Sequence, residues 1–213
     1  MQQNKIILDL CGGTGSWSKL YSDNGYDVRV ITLPKHDVRT YKPPENVYGI
    51  LAAPPCDQFS FAKTTGKPRD LKSAWSIVRG CLDIIAKCNK IKTPYAKTTT
   101  LKFWCLENPH GLLKRFLGKP VYVFHPWEFG HNYKKQTFLW GWFNEPKKFI
   151  KNINEVMTLE EIELCKTNSR KLPKFDRMKS KDIHPEHFGK YTRQERRAIT
   201  PEGFAQAFYE SNK

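Results

Sequence analysis

Two patterns are missing from this chain of 213 residues, and each absence excludes a class of protein. No apolar run is long enough to span a membrane, and residues 1–5 lack the charged-then-apolar pattern of a signal peptide. The six cysteines include no Cys-x-x-Cys pair, which argues against a disulfide framework and against a zinc site. We therefore expect a reduced, cytoplasmic protein that has no membrane as partner.

The spacing of metal ligands is missing as well. Among six histidines, His184 and His187 form the closest pair, and no cysteine or acid pattern around them matches a zinc site. Histidines at the surface or facing phosphate groups are the better interpretation. We expect no bound metal ion.

Positive charge is what the chain has in excess. The formal net charge is +15, and it is unevenly distributed. Residues 166–197 hold eleven Lys or Arg against four acids, a net charge of +7, and residues 87–106 hold five lysines and no acid. A solvated basic surface without a partner would explain a dispersed charge, but this clustering favours contact with the phosphates of a nucleic acid.

Apolar segments of strand length alternate with helical patterns up to residue 143. Strands are predicted at residues 5–10, 27–31, 48–53 and 103–106, helices at 17–22 and 71–90, and a closing pair of strands at 121–124 and 137–140. This alternation predicts an α/β fold with a mostly parallel sheet flanked by helices. Farther along, a short helix is predicted at 159–165, and a last helix with Thr200 as N-cap and Pro201 as its first residue.

Pro54-Pro55-Cys56 follows directly after the strand predicted at 48–53. Two prolines cannot continue a hydrogen-bonded ladder, so the chain leaves the sheet here and Cys56 lies at the carboxyl edge of the strand. Ligands bind at this edge in open α/β sheets. Most free cysteines are small buried hydrophobes, however, and the tripeptide alone does not decide between packing and reactivity.

Glycines follow the first predicted strand, in Asp9-Leu10-Cys11-Gly12-Gly13-Thr14-Gly15. Glycine lets a backbone approach a ligand closely. The motif does not match the full dinucleotide-binding pattern, and Ile31-Thr32-Leu33-Pro34 stands where an acid would end the second strand. A tight structural turn is an alternative explanation of the same glycines.

Glu107 follows the strand predicted at 103–106. A carboxyl group in so apolar a segment is costly unless it has a partner or a function. A buried salt bridge would explain it, and so would a general acid whose pKa is raised by burial.

Taken together, Gly12-Gly13-Thr14-Gly15, Pro54-Pro55-Cys56 and Glu107-Asn108-Pro109 have the order and approximate spacing of motifs of the DNA cytosine-C5 methyltransferases. Two further segments are similar to that family: residues 129–141 resemble its basic strand motif, and residues 198–205 resemble its terminal motif. The resemblance covers about residues 6–209. It implies a Rossmann-like class I methyltransferase fold, in a compact form that resembles phage-encoded enzymes and would then act in the host cytoplasm.

The resemblance also implies S-adenosylmethionine as cofactor and cytosine in double-stranded DNA as substrate. Cys56 would add to C6 of a flipped cytosine, and Glu107 would hold or protonate N3. The implied cofactor-binding residues are Asp9, Gly12, Gly13, Gly15, Trp17, Asp37, Pro54, Pro201 and Phe204. The implied DNA- or base-contacting residues are Gln58, Ser60, Lys63, Lys67, Arg69, Asn108, Lys134, Lys135, Gln136, Arg196 and Arg197.

Departures from the family pattern leave alternatives open. Pro109 stands where the family has valine, so we expect the strand to end sooner, and the ribose-binding acid and the large target-recognition domain are missing. We expect a monomer with a catalytic domain at 1–143, a small basic recognition region at 144–197, and a terminal helix at 198–213 that returns to the catalytic domain. The alternatives are the same chemistry on RNA or a free pyrimidine nucleotide, and a DNA-binding protein without activity.

Overall fold

The computed structural model describes residues 5–61, 63, 66–89, 101–159, 162 and 187–213. The strands are β1 (Ile6–Leu10), β2 (Asp27–Ile31), β3 (Val47–Ala52), β4 (Phe103–Pro109), β5 (Tyr122–Phe124) and β6 (Thr137–Trp142). The α-helices in these ranges are α1 (Lys19–Asp23), α2 (Leu71–Cys88), α3 (Lys114–Leu117), α4 (Arg193–Ala198) and α5 (Glu202–Asn212). Short 3₁₀ helices occupy Pro126–Phe129 and Ile153–Glu155.

All six strands form one sheet, in the order β2-β1-β3-β4-β6-β5. The first four strands are parallel, whereas β6 runs antiparallel to both β4 and β5. The expected α/β fold with a mostly parallel sheet is therefore confirmed. Because Leu10 pairs with Ala52 and Ala52 pairs with Leu106, the carboxyl ends of β1, β3 and β4 lie side by side.

The central strands are apolar because both faces of the sheet are covered. Side chains of β1 and β3 such as Leu8 and Ile50 pack on one face against α2, with Val78 and Cys81 of that helix. On the other face, Phe103 of β4 packs in an aromatic cluster with Tyr21 of α1 and with α5. The last helix thus shares the core of the sheet.

Each predicted strand begins and ends within three residues of the observed strand. β2 spans the residues predicted for it. β4 ends at Pro109, where the proline was expected to end it, but it extends three residues beyond the strand predicted at 103–106. Pro109 pairs with Thr137. Proline is the last residue of this ladder, where its missing N–H leaves the preceding pairs intact.

The beginning of the last helix was also predicted one residue too early. The helix begins at Glu202, so Pro201 and not Thr200 is the residue that precedes it. The backbone N–H of Thr200 instead donates to Ser16 Oγ, at 2.9 Å. Most of the short helix predicted at 159–165 and most of the basic segment 166–197 lie outside the described residues.

A helix with the length and apolarity needed to cross a membrane does not occur in the described ranges.

Candidate functional site

Cys56 lies at the carboxyl edge of the sheet, four residues beyond the end of β3. Its side chain is partly exposed. Asn108 on β4 donates from Nδ2 to the carbonyl oxygen of Pro54, at 2.9 Å, which ties the Pro-Pro segment to the neighbouring strand. The carbonyl oxygen of Cys56 accepts the backbone N–H groups of Phe59 (3.0 Å) and Ser60 (2.8 Å), so the chain turns sharply after the thiol.

The segment after Cys56 is organised around Arg69. The Arg69 guanidinium donates to three backbone carbonyl oxygens, those of Gln58 (2.6 Å), Ser60 (2.9 Å) and Lys63 (2.9 Å). An arginine that holds three carbonyls of one loop is a structural clamp, since its planar fork suits several acceptors at once. The sequence marked Arg69 as a DNA contact, and the structure places it inside the loop.

Gln58 and Lys63 are also used within this loop. Gln58 Oε1 accepts from Lys63 Nζ at 2.9 Å and from the backbone N–H of Asp70 at 3.0 Å. Lys67, by contrast, is exposed.

A second attachment joins the loop to the residues after β4. Ser60 forms an isolated β-bridge with Gly111, and the N–H of Leu112 donates to the carbonyl of Phe59 at 2.8 Å. A Cβ atom added to Gly111 would lie 2.3 Å from the Phe59 oxygen, so only glycine permits this approach. Sequence reasoning missed Gly111, although Gly after Asn-Pro-His was a usable signal.

Glu107 lies on β4, beside the end of β3, and is partly exposed. Burial raises the pKa of its carboxyl group, and the positive charge of Lys135 opposes that shift. Burial likewise raises the pKa of the Cys56 thiol; Lys135 opposes this shift, and Glu107 and Asp57 add to it. Cys56, Glu107 and Lys135 therefore interact electrostatically, and both acids hold their protons more firmly than they do in water.

The glycine loop follows β1, as predicted, and Asp9 lies beneath it. The Asp9 carboxyl group is fully buried and accepts a hydrogen bond from Ser18 Oγ at 2.6 Å. A Cβ atom on Gly12 would lie 2.3 Å from the Asp9 carboxyl carbon, so the loop packs directly on this side chain. Burial raises the pKa of Asp9 to about 6, and the Ser18 hydrogen bond only partly offsets this.

Two cavities adjoin the glycine loop and share Thr14 and Gly15 in their walls. One, of about 530 Å³, opens at the carboxyl end of β2; we call it the β2 cavity, and it is lined by Gly13, Thr14, Gly15, Val28, Arg29, Val30, Ile31, Thr32, Lys35, His36 and Tyr41. The other, of about 400 Å³, lies between α1 and the segment 187–199. Sequence reasoning looked for an acid after β2 and therefore missed Lys35 and His36.

Of the nine residues implied for cofactor binding, Gly13 and Gly15 line the β2 cavity. Trp17 and Phe204 are buried in the aromatic core with their rings 5.9 Å apart. Asp37 is held by Arg39, whose Nε lies 2.9 Å from Oδ1. The remaining four are Asp9 and Gly12, which pack on each other, Pro54, which binds Asn108, and Pro201, which precedes α5.

The other residues implied for DNA contact lie in two places. Lys134, Lys135 and Gln136 directly precede β6, and the Gln136 carbonyl accepts the backbone N–H of His110 at 2.9 Å. Arg196 packs on the ring of Phe188, at 4.1 Å from its centroid, and donates to the Tyr191 carbonyl, while Arg197 is exposed.

The described ranges contain no group of three or more His, Cys, Asp or Glu side chains arranged to hold a metal ion.

No protein-family model matches the sequence, and a search of curated proteins finds no significant match.

Proposed function

We propose that this protein transfers a methyl group from S-adenosylmethionine to C5 of cytosine in DNA, as its motifs imply. One observation carries the proposal: Cys56 and Glu107 lie at the carboxyl ends of neighbouring parallel strands, and Asn108 joins the two ends. A cavity lies at the same edge of the sheet, beside β1 and β2. Ligands of open α/β sheets bind at this edge.

The glycine loop of the β2 cavity fits an adenosine-containing cofactor, but the charge of the cavity differs from that of a ribose site built on an acid. Gly13 has a φ of +55° and a Cβ there would meet no atom within 4 Å, so the loop leaves its backbone open to a ligand. Thr14 and Thr32 supply hydroxyl groups for a ribose. No acid lines this cavity in the described part of the chain. S-adenosylmethionine would supply an electrophilic methyl group.

Cys56 would act as the nucleophile after losing its proton. Its raised pKa means that the free protein holds the thiol protonated, and Lys135 provides the positive charge that favours the thiolate. When sulfur bonds to C6, the electrons of the C5–C6 double bond move through the ring toward N3. Glu107 would give its proton to N3, a role that the raised pKa of the carboxyl suits.

The remaining steps return both residues to their starting states. C5 would form its bond to the methyl carbon as the bond from that carbon to the sulfonium sulfur of the methyl donor breaks, and a base would then remove the proton from C5. The C5–C6 double bond re-forms as the bond between sulfur and C6 breaks, which releases Cys56. Glu107 takes back the proton from N3, and Cys56, which leaves C6 as a thiolate, takes back a proton as well. The net release is therefore one proton, that of C5, for each methyl group transferred.

A trapping experiment tests this proposal. The protein is incubated with S-adenosylmethionine and a DNA duplex containing 5-fluorocytosine, because fluorine at C5 blocks the elimination that releases the cysteine. We expect a denaturation-resistant adduct that Cys56→Ser abolishes. Cys88→Ser is the matched control, since it removes another partly exposed thiol, and it should still form the adduct.

Parallel incubations use fluorinated RNA and 5-fluoro-dCMP. An adduct with one of these and none with DNA would show that this molecule, and not DNA, is the substrate. DNA binding without any adduct would instead support the alternative of an inactive binding protein and would refute the proposed chemistry.

A further inference from the structure

The β2 cavity has an unusual electrostatic lining for a site at the end of the second strand. Lys35 and His36 form part of its wall, together with the glycine loop. The backbone N–H of His36 donates to the Thr32 carbonyl at 2.9 Å, and its ring contacts Tyr41 edge to face at 5.8 Å. The imidazole is therefore oriented by the turn and by Tyr41.

Two acids that are adjacent in sequence to residues of this cavity, Asp27 and Asp37, are paired with arginines. Asp27 binds Arg29 at 2.7 Å, and Asp37 binds Arg39 through Oδ1 and Oδ2. Each pair is close to neutral, and no acid of the described residues lines the cavity, so Lys35 leaves positive charge there. The cavity is consequently suited to a ligand with negative charge at this end.

Sequence spacing indicates which part of a ligand would meet this charge. In dinucleotide-binding folds, the residue about 20 positions after the glycine motif contacts the ribose. An acid at this position accepts a hydrogen bond from a ribose hydroxyl, whereas a basic residue nearby binds a phosphate on the ribose. Lys35 stands 20 positions after Gly15 and four residues beyond the end of β2. Two basic side chains thus follow directly after the segment Ile31-Thr32-Leu33-Pro34, which lacks the acid.

We propose that the β2 cavity binds adenine nucleotides that carry a phosphate on the 2′ or 3′ position of the ribose. Lys35 and His36 contact that phosphate, and the glycine loop contacts the nucleoside. The choice of adenine rests on the proposed function, whose cofactor contains adenosine. Because S-adenosylmethionine has no ribose phosphate, such nucleotides compete with it and inhibit methyl transfer.

Calorimetric titration of the full chain tests the proposal with four ligands: adenosine, 2′-AMP, 3′-AMP and 5′-AMP. A charge-assisted contact predicts that 2′-AMP or 3′-AMP binds about tenfold more tightly than adenosine. Equal affinity for adenosine and the phosphorylated forms, or an equal gain for 5′-AMP, would overturn the proposal.

Variants of Lys35 test whether this side chain causes the gain in affinity for 2′-AMP or 3′-AMP over adenosine. Lys35→Gln should remove most of the gain and leave the affinity for adenosine unchanged, whereas Lys35→Arg should retain the gain. Lys119→Gln is the matched control, because Lys119 is an exposed lysine beside β5, the opposite edge strand. An equal loss in Lys119→Gln would mean that bulk charge and not the cavity attracts the phosphate.

A titration with S-adenosylmethionine separates this inference from the proposed function. Binding of S-adenosylmethionine without any preference for ribose phosphates would overturn the inference alone. A preference for ribose phosphates in a protein that does not bind S-adenosylmethionine would overturn the proposed function and support the cavity assignment.

Discussion

Asn108 on β4 holds the carbonyl oxygen of Pro54, at 2.9 Å, by a hydrogen bond from its side-chain amide. The bond joins the ends of two adjacent parallel strands and lies two residues before Cys56. Asn108 is fully buried, so no water replaces the bond if it is lost. This contact sets the position of the proposed nucleophile relative to Glu107.

Replacing Asn108 by alanine tests that relationship. Loss of a buried hydrogen bond predicts destabilisation by about 1–3 kcal/mol. Displacement of Cys56 predicts a fall in kcat of about a hundredfold with little change in the affinity for S-adenosylmethionine. Denaturant unfolding and methyl-transfer kinetics measure the two effects. Asn24→Ala is the control, since its amide also binds a carbonyl but is exposed, and it should leave kcat unchanged.

Glu107→Gln is predicted to change the pH profile as well as the rate. Glutamine retains a hydrogen-bond donor but has no proton to transfer, so we expect kcat to fall by about a hundredfold or more. The wild-type rate should decline at the alkaline end, because Glu107 then lacks the proton that it gives to N3. In the variant the rate should rise with pH as Cys56 ionises and then stay level. An alkaline decline in the variant would assign that limb to another group.

The raised pKa of Asp9 predicts that the free energy of unfolding falls as the pH rises. Its pKa is raised from 3.8 to about 6, so between these values the folded state binds more protons than the unfolded state. The contribution of Asp9 to the free energy of unfolding is therefore greatest below about pH 4, and it falls by about 3 kcal/mol as the pH rises to about 6. Denaturant unfolding at several pH values should show this fall in the wild type and not in Asp9→Asn. Asp23→Asn, on the surface, should retain it.

Substitutions of Arg69 and Lys67 should have different effects on kcat and DNA affinity, although both are basic residues of one loop. Arg69→Ala removes three hydrogen bonds to loop carbonyls, so kcat should fall while DNA affinity changes little. Lys67→Ala removes an exposed charge, so DNA affinity should fall and the slope of log K against log salt should decrease by about one. Equal salt slopes in Lys67→Ala and the wild type would remove Lys67 from the DNA contacts.

The core elements were predictable because their signals are local. The apolar runs of β1 and β3 and the helical spacing in α2 each reflect burial of a continuous segment. Pro54 and Pro55 likewise required the chain to leave the sheet before Cys56. The end of β4 was predicted three residues too early, at residue 106, because a ladder tolerates proline at its last residue and residue spacing does not show where a partner strand ends.

Residue types by themselves determined which groups are chemically able to act: a thiol after two prolines, a carboxyl in an apolar strand and glycines after the first strand. Tertiary structure decided which of these meet. Strand order placed Cys56 beside Glu107 and brought Lys135 near both, since β6 inserts next to β4. It also turned Arg69 inward and left Lys35 at a cavity, because burial and pairing depend on neighbours that are distant in the sequence.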